Sequence, residues 1–134
     1  GPWRVAQAFL PALKKAARAG AIAGQGGARI VNVASGGGTR SDRGSGFNFV
    51  GGSAPAYGLS KMALNGLTTK LALDLQQEHV LVNSVCPGFT ASGSEDNKTG
   101  RPVAHGAASI VFAADLPFDG PTGKFFRDGR EIDF

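Results

Sequence analysis

Two short apolar runs restrict the fold of this chain more than any other feature of its sequence. They are residues 28–34 (ARIVNVA) and residues 80–86 (VLVNSVC). Both are short, mostly apolar and rich in β-branched residues, as expected of strands that are buried on both faces of a parallel sheet. Three helical patterns and one further short strand accompany them, at residues 2–20, 55–77, 102–114 and 124–127. The order α-β-α-β-α-β predicts an α/β fold in which helices cover a parallel sheet.

The first two helices carry more apolar surface than a sheet alone would cover. The stripe on the first helix consists of Val5, Ala8, Phe9, Ala12, Leu13 and Ala16. The ridge on the second helix consists of Leu59, Ala63, Leu67, Leu71 and Leu75. Residues with these spacings share one face of a helix. We therefore expect the two helices to contact both the sheet and a second copy of the chain, so that the protein is a homo-oligomer.

The composition is that of a soluble protein with one domain. A chain of 134 residues suffices for one domain, and 42% hydrophobic with 18% charged residues is ordinary for a globular protein. No apolar run approaches the roughly 18 residues that a membrane span needs, and the single cysteine, Cys86, suits the reducing cytoplasm. The net charge of +4 is modest, and Lys14, Lys15 and Arg18 form a typical solvated helix face. We predict a cytoplasmic protein without nucleic-acid or membrane partners.

Tyr57 and Lys61 are the residues whose chemistry stands out. In the segment YGLSK they lie four residues apart, so a phenol and an ammonium group share one face of the second helix. Carbonyl reduction needs a proton donor for the developing alkoxide, and a free tyrosine, with a pKa of about 10, is a poor one near neutral pH. A cation within about 4–6 Å favours the phenolate and so eases proton exchange. The pair alone is a weak signal, because a tyrosine packed on a lysine stem is the common alternative.

The surroundings of this pair strengthen the interpretation. Ser35 follows the first buried strand, and residues 87–90 (PGFT) follow the second. Open α/β sheets bind ligands at the carboxyl ends of their parallel strands. We therefore expect Ser35, Tyr57 and the 87–90 turn to meet at one edge of the sheet. For Ser35 alone, the alternative explanation is a cap at the end of the strand, and for Thr90 or Ser92 an ordinary loop hydroxyl is an equally good explanation.

These segments resemble, in order, the short-chain dehydrogenase/reductase family. The resemblance is carried by VNVAS ending at Ser35, YGLSK at residues 57–61 and VNSVCPGFT at residues 82–90, and it extends to GPWRVAQAFLPALKK at residues 1–15 and PTGKFFRDG at residues 121–129. It implies the carboxyl-terminal part of a Rossmann-type doubly wound parallel sheet. It also implies an NAD(P)-dependent oxidoreductase that interconverts a carbonyl and an alcohol on a small or medium-sized apolar molecule.

The resemblance also implies a role for individual residues. Tyr57 would be the general acid/base, Lys61 would hold the nicotinamide ribose and favour the phenolate, and Ser35 would hydrogen-bond the substrate oxygen. The other cofactor contacts would come from Pro87, Gly88, Phe89 and Thr90, around the nicotinamide carboxamide, and from Ser92, near the diphosphate. The tail PTGKFFRDGREIDF is most similar to the NADPH-preferring carbonyl-reductase branch, which favours NADP over NAD. In the family, the first two helices commonly form a four-helix interface between subunits.

The chain also departs from the family pattern. The interval from Ser35 to Tyr57 is 22 positions, longer than the commonest spacing and similar to the inserts of the carbonyl-reductase and plant-type branches. The family's catalytic asparagine would lie before Gly1, and the first βαβ units with their Gly-rich turn are missing from these residues. We therefore expect residues 1–134 to form a single partial domain that lacks the amino-terminal dinucleotide-binding half.

Three alternatives to this interpretation involve the loop after the first strand or the strand itself. Residues 39–46 (TRSDRGSG) match the family's T-G-x-x-x-G-x-G cofactor loop except at Arg40, but FNFVGGSAP after them cannot open a phosphate-binding helix. A second hypothesis is a catalytically silent chain that self-associates, because the first strand would lack its inner neighbour. A third is single-stranded RNA binding through Arg40, Arg43, Phe47 and Phe49, which is a small set for that purpose.

Other chemistries find less support in the sequence. His79 and His105 lie apart, without the spacing of metal ligands, so no metal site is predicted. The G-x-S-x-G motif of many hydrolases is absent. Cys86, in an apolar strand before a proline, is expected to be an inert core thiol.

Overall fold

The computed structural model describes residues 1–23, 27–48, 55–91 and 99–134, and the predicted order of elements is confirmed there. The main elements are helix α1 (Pro2–Ala23), strand β1 (Ala28–Val33), helix α2 (Pro55–Leu75), strand β2 (Val80–Val85), helix α3 (Val103–Ala114), strand β3 (Phe125–Arg127) and strand β4 (Arg130–Glu131). Two 3₁₀ turns (Gly36–Gly38 and Gln76–Glu78) and β4 are additions to the prediction. Helix α1 also continues three residues past Gly20, its predicted end.

The four strands form one sheet in the order β1-β2-β3-β4. β1 runs parallel to β2, with Ala28 opposite Val80, and β2 runs parallel to β3. β3 and β4 are antiparallel and are joined by the predicted turn at Asp128 and Gly129, both of which have positive φ angles. The mostly parallel sheet with its flanking helices confirms the predicted α/β class.

Successive residues of β2 point to opposite faces of the sheet, and each face has its own core. Val80 and Val82 pack with the α1 and α2 side, where Ala17, Leu71 and Leu75 are buried. Leu81 and Val85 pack on the other face with Ala113, Leu116 and Phe126. Every residue of β2 is buried, which explains why its sequence is nearly continuous in apolar residues.

The polar residues within the buried strands have hydrogen-bond partners. Asn32 donates to Thr68 Oγ1 at 2.8 Å, and Ser84 Oγ lies 2.7 Å from the same oxygen. Asn83 donates to the carbonyl of Pro121 at 2.8 Å and accepts from the backbone N–H of Lys124 at 3.0 Å. Because an unpaired buried polar group is costly, these contacts fix how α2 and the segment before β3 dock on the sheet.

Only part of each predicted apolar stripe packs against the sheet. On α1, Val5 and Phe9 are 58% and 60% exposed, whereas Ala6 and Ala17 are buried. On α2, Leu59 is 57% exposed, although Leu71 and Leu75 at the other end of the predicted ridge are buried as expected. The face of α2 that packs on the sheet also includes the polar residues Asn65 and Thr68, which a search for apolar periodicity passes over. Within the described ranges, no helix combines the length and hydrophobicity needed to cross a bilayer.

β1 forms the edge of the sheet, and its outer side faces a groove of about 670 Å³. The backbone N–H of Ala34 donates inward to Val85, and the two peptide groups of a residue in a parallel strand point the same way. The backbone groups of Arg29, Val31 and Val33 therefore point outward into the groove. Val5 and Phe9 line its opposite wall, which accounts for the exposed stripe on α1.

Candidate active site

Most of the predicted site residues meet in one cavity at the carboxyl ends of β1, β2 and β3. The cavity has a volume of about 420 Å³. Its lining includes the predicted residues Ser35, Tyr57, Gly88, Phe89 and Thr90. α/β folds bind ligands at these carboxyl ends of parallel strands. The sequence places the residues there because Ser35 follows β1, the 87–90 turn follows β2, and Tyr57 lies in the first turn of α2.

Ser35 continues β1 in extended conformation and is half-buried. Its Oγ accepts a hydrogen bond from the backbone N–H of Gly37 at 3.1 Å, so it caps the 3₁₀ turn that follows. Capping is the alternative role for Ser35. Its hydroxyl keeps a second lone pair and its own proton, however, so it can form a further hydrogen bond. A Cβ at Gly37 would lie 3.5 Å from Ser35 Oγ and 3.6 Å from Cε1 of Tyr57, so both side chains border the same point.

Tyr57 lies in the first turn of α2 and is 51% exposed. The next residue, Gly58, is buried, and a Cβ there would lie 2.9 Å from the carbonyl of Gly37 and 3.0 Å from the ring of Phe47. A larger residue at this position would push α2 away from the loop. The glycine therefore lets the helix begin close to Ser35, which holds Tyr57 at the cavity.

Lys61 lies beside Tyr57 but faces the groove along β1 rather than the Ser35–Tyr57 cavity. Its Nζ is 5.6 Å from the centroid of the Tyr57 ring. The same atom donates a 2.8 Å hydrogen bond to the carbonyl of Val33, one of the outward-facing groups of β1. The lysine thus connects the candidate site to the open edge of the sheet.

The 87–90 turn forms the side of the cavity nearest β2. Gly88 has a φ of 71°, a conformation that favours glycine. Thr90 Oγ1 donates to the carbonyls of Pro87 and Gly88 at 3.1 and 3.2 Å, and the Phe89 side chain is largely exposed. Ser92, the remaining predicted cofactor contact, lies outside the described residues.

Besides the predicted residues, the lining of the cavity includes Cys86, Asp42 and Arg127, which the sequence does not assign to a site. Cys86 is buried, as expected, but its surroundings are polar: Sγ accepts from the backbone N–H groups of Gly36 and Gly88 at 3.3 and 3.4 Å and from Arg127 Nη2 at 3.3 Å. Arg127 Nη2 also pairs with Asp42. The only local signal for this cluster is an arginine at the carboxyl end of an otherwise apolar strand.

Asp42 organises the loop that resembles a phosphate-binding turn. Its Oδ1 accepts from the backbone N–H groups of Gly44 and Ser45 at 3.0 and 2.8 Å. Burial raises the pKa of Asp42, but the hydrogen bonds and charge of Arg127 and the hydrogen bonds of Ser45 outweigh it, so the pKa lies below its usual value. An internal carboxylate thus occupies the N–H groups that a phosphate would need, which supports the rejection of residues 39–46 as a cofactor loop.

The structure describes only some of the residues of the RNA-binding hypothesis. Phe47 of the RNA hypothesis packs against α2 at Gly58, and Phe49 lies outside the described residues. Within the described ranges, no three His, Cys, Asp or Glu side chains form a group that could hold a metal ion.

Comparison with known proteins identifies the family. A model of the short chain dehydrogenase family matches residues 1–101. The chain belongs to this family. Carbonyl reductase [NADPH] 3 of Rattus norvegicus is 35% identical over 79 residues, which cover 54% of the chain and 28% of that protein. (+)-Neomenthol dehydrogenase of Capsicum annuum is 39% identical over 79 residues, which cover 59% of the chain and 24% of that protein.

Two solved structures of carbonyl reductases match nearly the whole chain. NADPH-bound carbonyl reductase from chicken fatty liver superposes with a TM-score of 0.78 at 26% identity, over 99% of the chain and 52% of that protein. The carbonyl reductase Sniffer of D. melanogaster gives a TM-score of 0.73 at 29% identity, over 96% of the chain and 50% of that protein. The chain therefore resembles carbonyl reductases and spans about half the length of these two proteins.

Proposed function

We propose that residues 1–134 form the catalytic half of an NAD(P)-dependent oxidoreductase that interconverts a carbonyl and an alcohol, with Ser35, Tyr57 and Lys61 as its site. The observation that carries this proposal is the cavity shared by Ser35, Tyr57 and the 87–90 turn at the carboxyl ends of parallel strands. The likeness to carbonyl reductases, two of them named for NADPH, supports NADPH as the cofactor.

In this proposal the substrate oxygen lies between Ser35 and Tyr57, near the point that both side chains border. The Ser35 hydroxyl donates to that oxygen while its lone pair keeps the N–H of Gly37. Tyr57, half-exposed at the cavity, donates its proton to the developing alkoxide, and the same step in reverse serves alcohol oxidation. In this proposal the cavity of about 420 Å³ is shared by the reacting end of the substrate and the nicotinamide.

The described residues suit the nicotinamide end of the cofactor. The exposed Phe89 ring and the 87–90 turn border the cavity, where the cofactor would supply the hydride. Lys61 has three N–H donors, of which one binds Val33. The other two are available for ribose hydroxyls of the cofactor.

The test is Tyr57→Phe in the full polypeptide in which these residues occur. Because the phenylalanine keeps the ring and removes only the proton donor, we expect carbonyl reduction to fall by at least about a hundredfold, with cofactor affinity unchanged within a few-fold. Turnover with NADPH and a small apolar ketone would be followed by the loss of NADPH absorbance. The control is Thr69→Val, which removes a hydroxyl elsewhere on α2 whose hydrogen bond, to the carbonyl of Asn65, lies within that helix. Unchanged turnover in the phenylalanine variant would remove Tyr57 from the mechanism.

A second candidate is a catalytically silent chain that self-associates, and the outward-facing backbone groups of β1 favour it. In both candidates residues 1–134 form a partial domain, because a dinucleotide fold uses two mononucleotide-binding halves. The candidates differ in the full polypeptide, where only the first predicts turnover that depends on Tyr57.

A further inference from the structure

Arg101 connects the 87–90 turn to Asp128, in the turn between β3 and β4. We propose that Arg101 is a positioning residue for the nicotinamide end of the cofactor and that it acts through the backbone of Pro87 and Gly88, with Asp128 as its anchor. This inference rests on the proposed function, since it assumes that the 87–90 turn contacts the cofactor. Arg101 itself does not line the Ser35–Tyr57 cavity.

The backbone and side chain of Arg101 both hold the turn. Its N–H donates to the carbonyl of Phe89 at 2.8 Å, and its carbonyl accepts from the N–H of Ala91 at 3.0 Å. Its Nη1 reaches the carbonyl of Pro87 at 3.4 Å. The guanidinium also lies against Gly88, where a Cβ would come within 3.1 Å of Cζ and Nε. The position of Gly88 therefore depends on where this guanidinium is held.

Asp128 holds the guanidinium from the opposite side. Both carboxylate oxygens accept from Arg101, with Nη2 to Oδ2 at 2.8 Å. Ser109 of α3 fixes the carboxylate in turn: its Oγ donates to Asp128 Oδ1 at 3.1 Å and accepts from the Asp128 N–H at 3.0 Å. The hydrogen bond from Arg101 is the main reason why the pKa of Asp128 is lowered to about 2, so the carboxylate stays charged at any working pH.

The arrangement needs the planar, forked geometry of arginine. One face of the guanidinium group has to pack on Gly88 while its N–H groups reach Asp128 and Pro87 at once. A lysine keeps the charge but cannot form the two parallel hydrogen bonds to the carboxylate. A lysine variant therefore separates the role of the charge from the role of the geometry.

The experiment compares Arg101→Gln, Arg101→Lys and Asp128→Asn in the full polypeptide, with steady-state kinetics in which NADPH and the ketone are varied separately. We expect Arg101→Gln to raise the KM for NADPH about tenfold and to leave the KM for the ketone within about twofold. Arg101→Lys should restore only part of the loss. Because the two residues act as one unit, Asp128→Asn combined with Arg101→Gln should be no worse than the worse single variant.

The control is Arg130→Gln, which removes an exposed positive charge from β4, next to the turn at Asp128 and Gly129. It should leave both KM values unchanged. If Arg101 only stabilises the fold, the thermal midpoint will fall while the KM for NADPH stays the same in Arg101→Gln and Arg101→Lys, and the inference is wrong. A full rescue by lysine would also overturn it. Failure of the proposed function is a different outcome, because there the Tyr57→Phe protein keeps its turnover.

Discussion

The two sides of the sheet, β1 (the open edge) and the β3–β4 hairpin (the closed end), differ in the groups that they expose. At the β3–β4 end, a short hairpin carries the exposed charged residues Arg130 and Glu131, and Asp128 is hydrogen-bonded on both carboxylate oxygens. At the β1 end, outward backbone groups and exposed apolar side chains of α1 face a groove of about 670 Å³. An unpaired strand edge such as β1 can pair with another segment of polypeptide. The comparison therefore indicates that a further strand would add at β1.

The candidate site depends on residues from both sides of the sheet. Ser35 follows β1, and Lys61 binds the outward carbonyl of Val33 at the open edge. The 87–90 turn is held from the closed end through Arg101. Changes at the open edge should therefore affect the site mainly through Lys61, and changes at the closed end mainly through the turn.

The largest effect that tests this comparison is expected for Lys61→Ala. Loss of the ammonium group removes the proposed contact to the cofactor ribose and the positive charge beside the Tyr57 ring. We expect kcat/KM of the full polypeptide to fall at least about tenfold and the KM for NADPH to rise. The control is Lys70→Ala, at an exposed position on the same helix. An unchanged KM for NADPH in the Lys61 variant would contradict the ribose contact.

An intermediate effect is expected for residues 1–134 expressed alone. We expect this chain to self-associate through β1 and to bind NADPH too weakly for calorimetry at micromolar concentrations, since most contacts to the diphosphate and adenosine would come from the proposed amino-terminal half. Val33→Lys, which places a charge on the open edge, should shift the sedimentation coefficient toward that of a monomer.

The matched control for this charge is Val103→Lys, on an exposed position of α3. It should leave the association unchanged. A wild-type chain that sediments as a sharp monomer and unfolds cooperatively would show that the open edge needs no partner. Micromolar NADPH binding by the chain alone would revive residues 39–46 as a phosphate site.

The smallest effect is expected for the contribution of Asp128, at the closed end of the sheet, to stability in acid. The pKa of Asp128 is about 2 in the folded chain, below its ordinary value of 3.8. Its contribution to stability is therefore complete above about pH 4 and is lost as the pH falls toward 2. In Arg101→Gln the pKa should return toward its ordinary value, so this variant should lose less stability than the wild type between pH 5 and about pH 2. Urea unfolding across this range measures the difference, with Asp133→Asn as the control.

The sequence predicts the elements well because local chemistry determines them. The β-branched runs at β1 and β2 end within one residue of their predicted limits, since proline, glycine or serine follows each of them. The faces through which α1 and α2 contact the sheet are predicted less well. Which side of a helix meets the sheet depends on partners far along the chain, such as the Thr68 hydroxyl that binds both Asn32 and Ser84.

The candidate site shows the same division. Ser35, Tyr57 and the 87–90 turn are found from motifs whose spacing local structure preserves. Asp42 and Arg127 form their ion pair across 85 positions of sequence, and no local pattern announces it. The orientation of Lys61 toward Val33 is also a tertiary effect, because it depends on how α2 docks beside the open strand.

The unequal edges of the sheet also limit how large an assembly of this chain can become. Among the described strands, each copy has one unpaired edge, β1, whereas the sheet ends on its other side in a two-residue strand with charged side chains. If two copies pair through β1, neither copy keeps an unpaired β1 edge. We therefore expect growth through the sheet to stop at two copies instead of continuing into a filament.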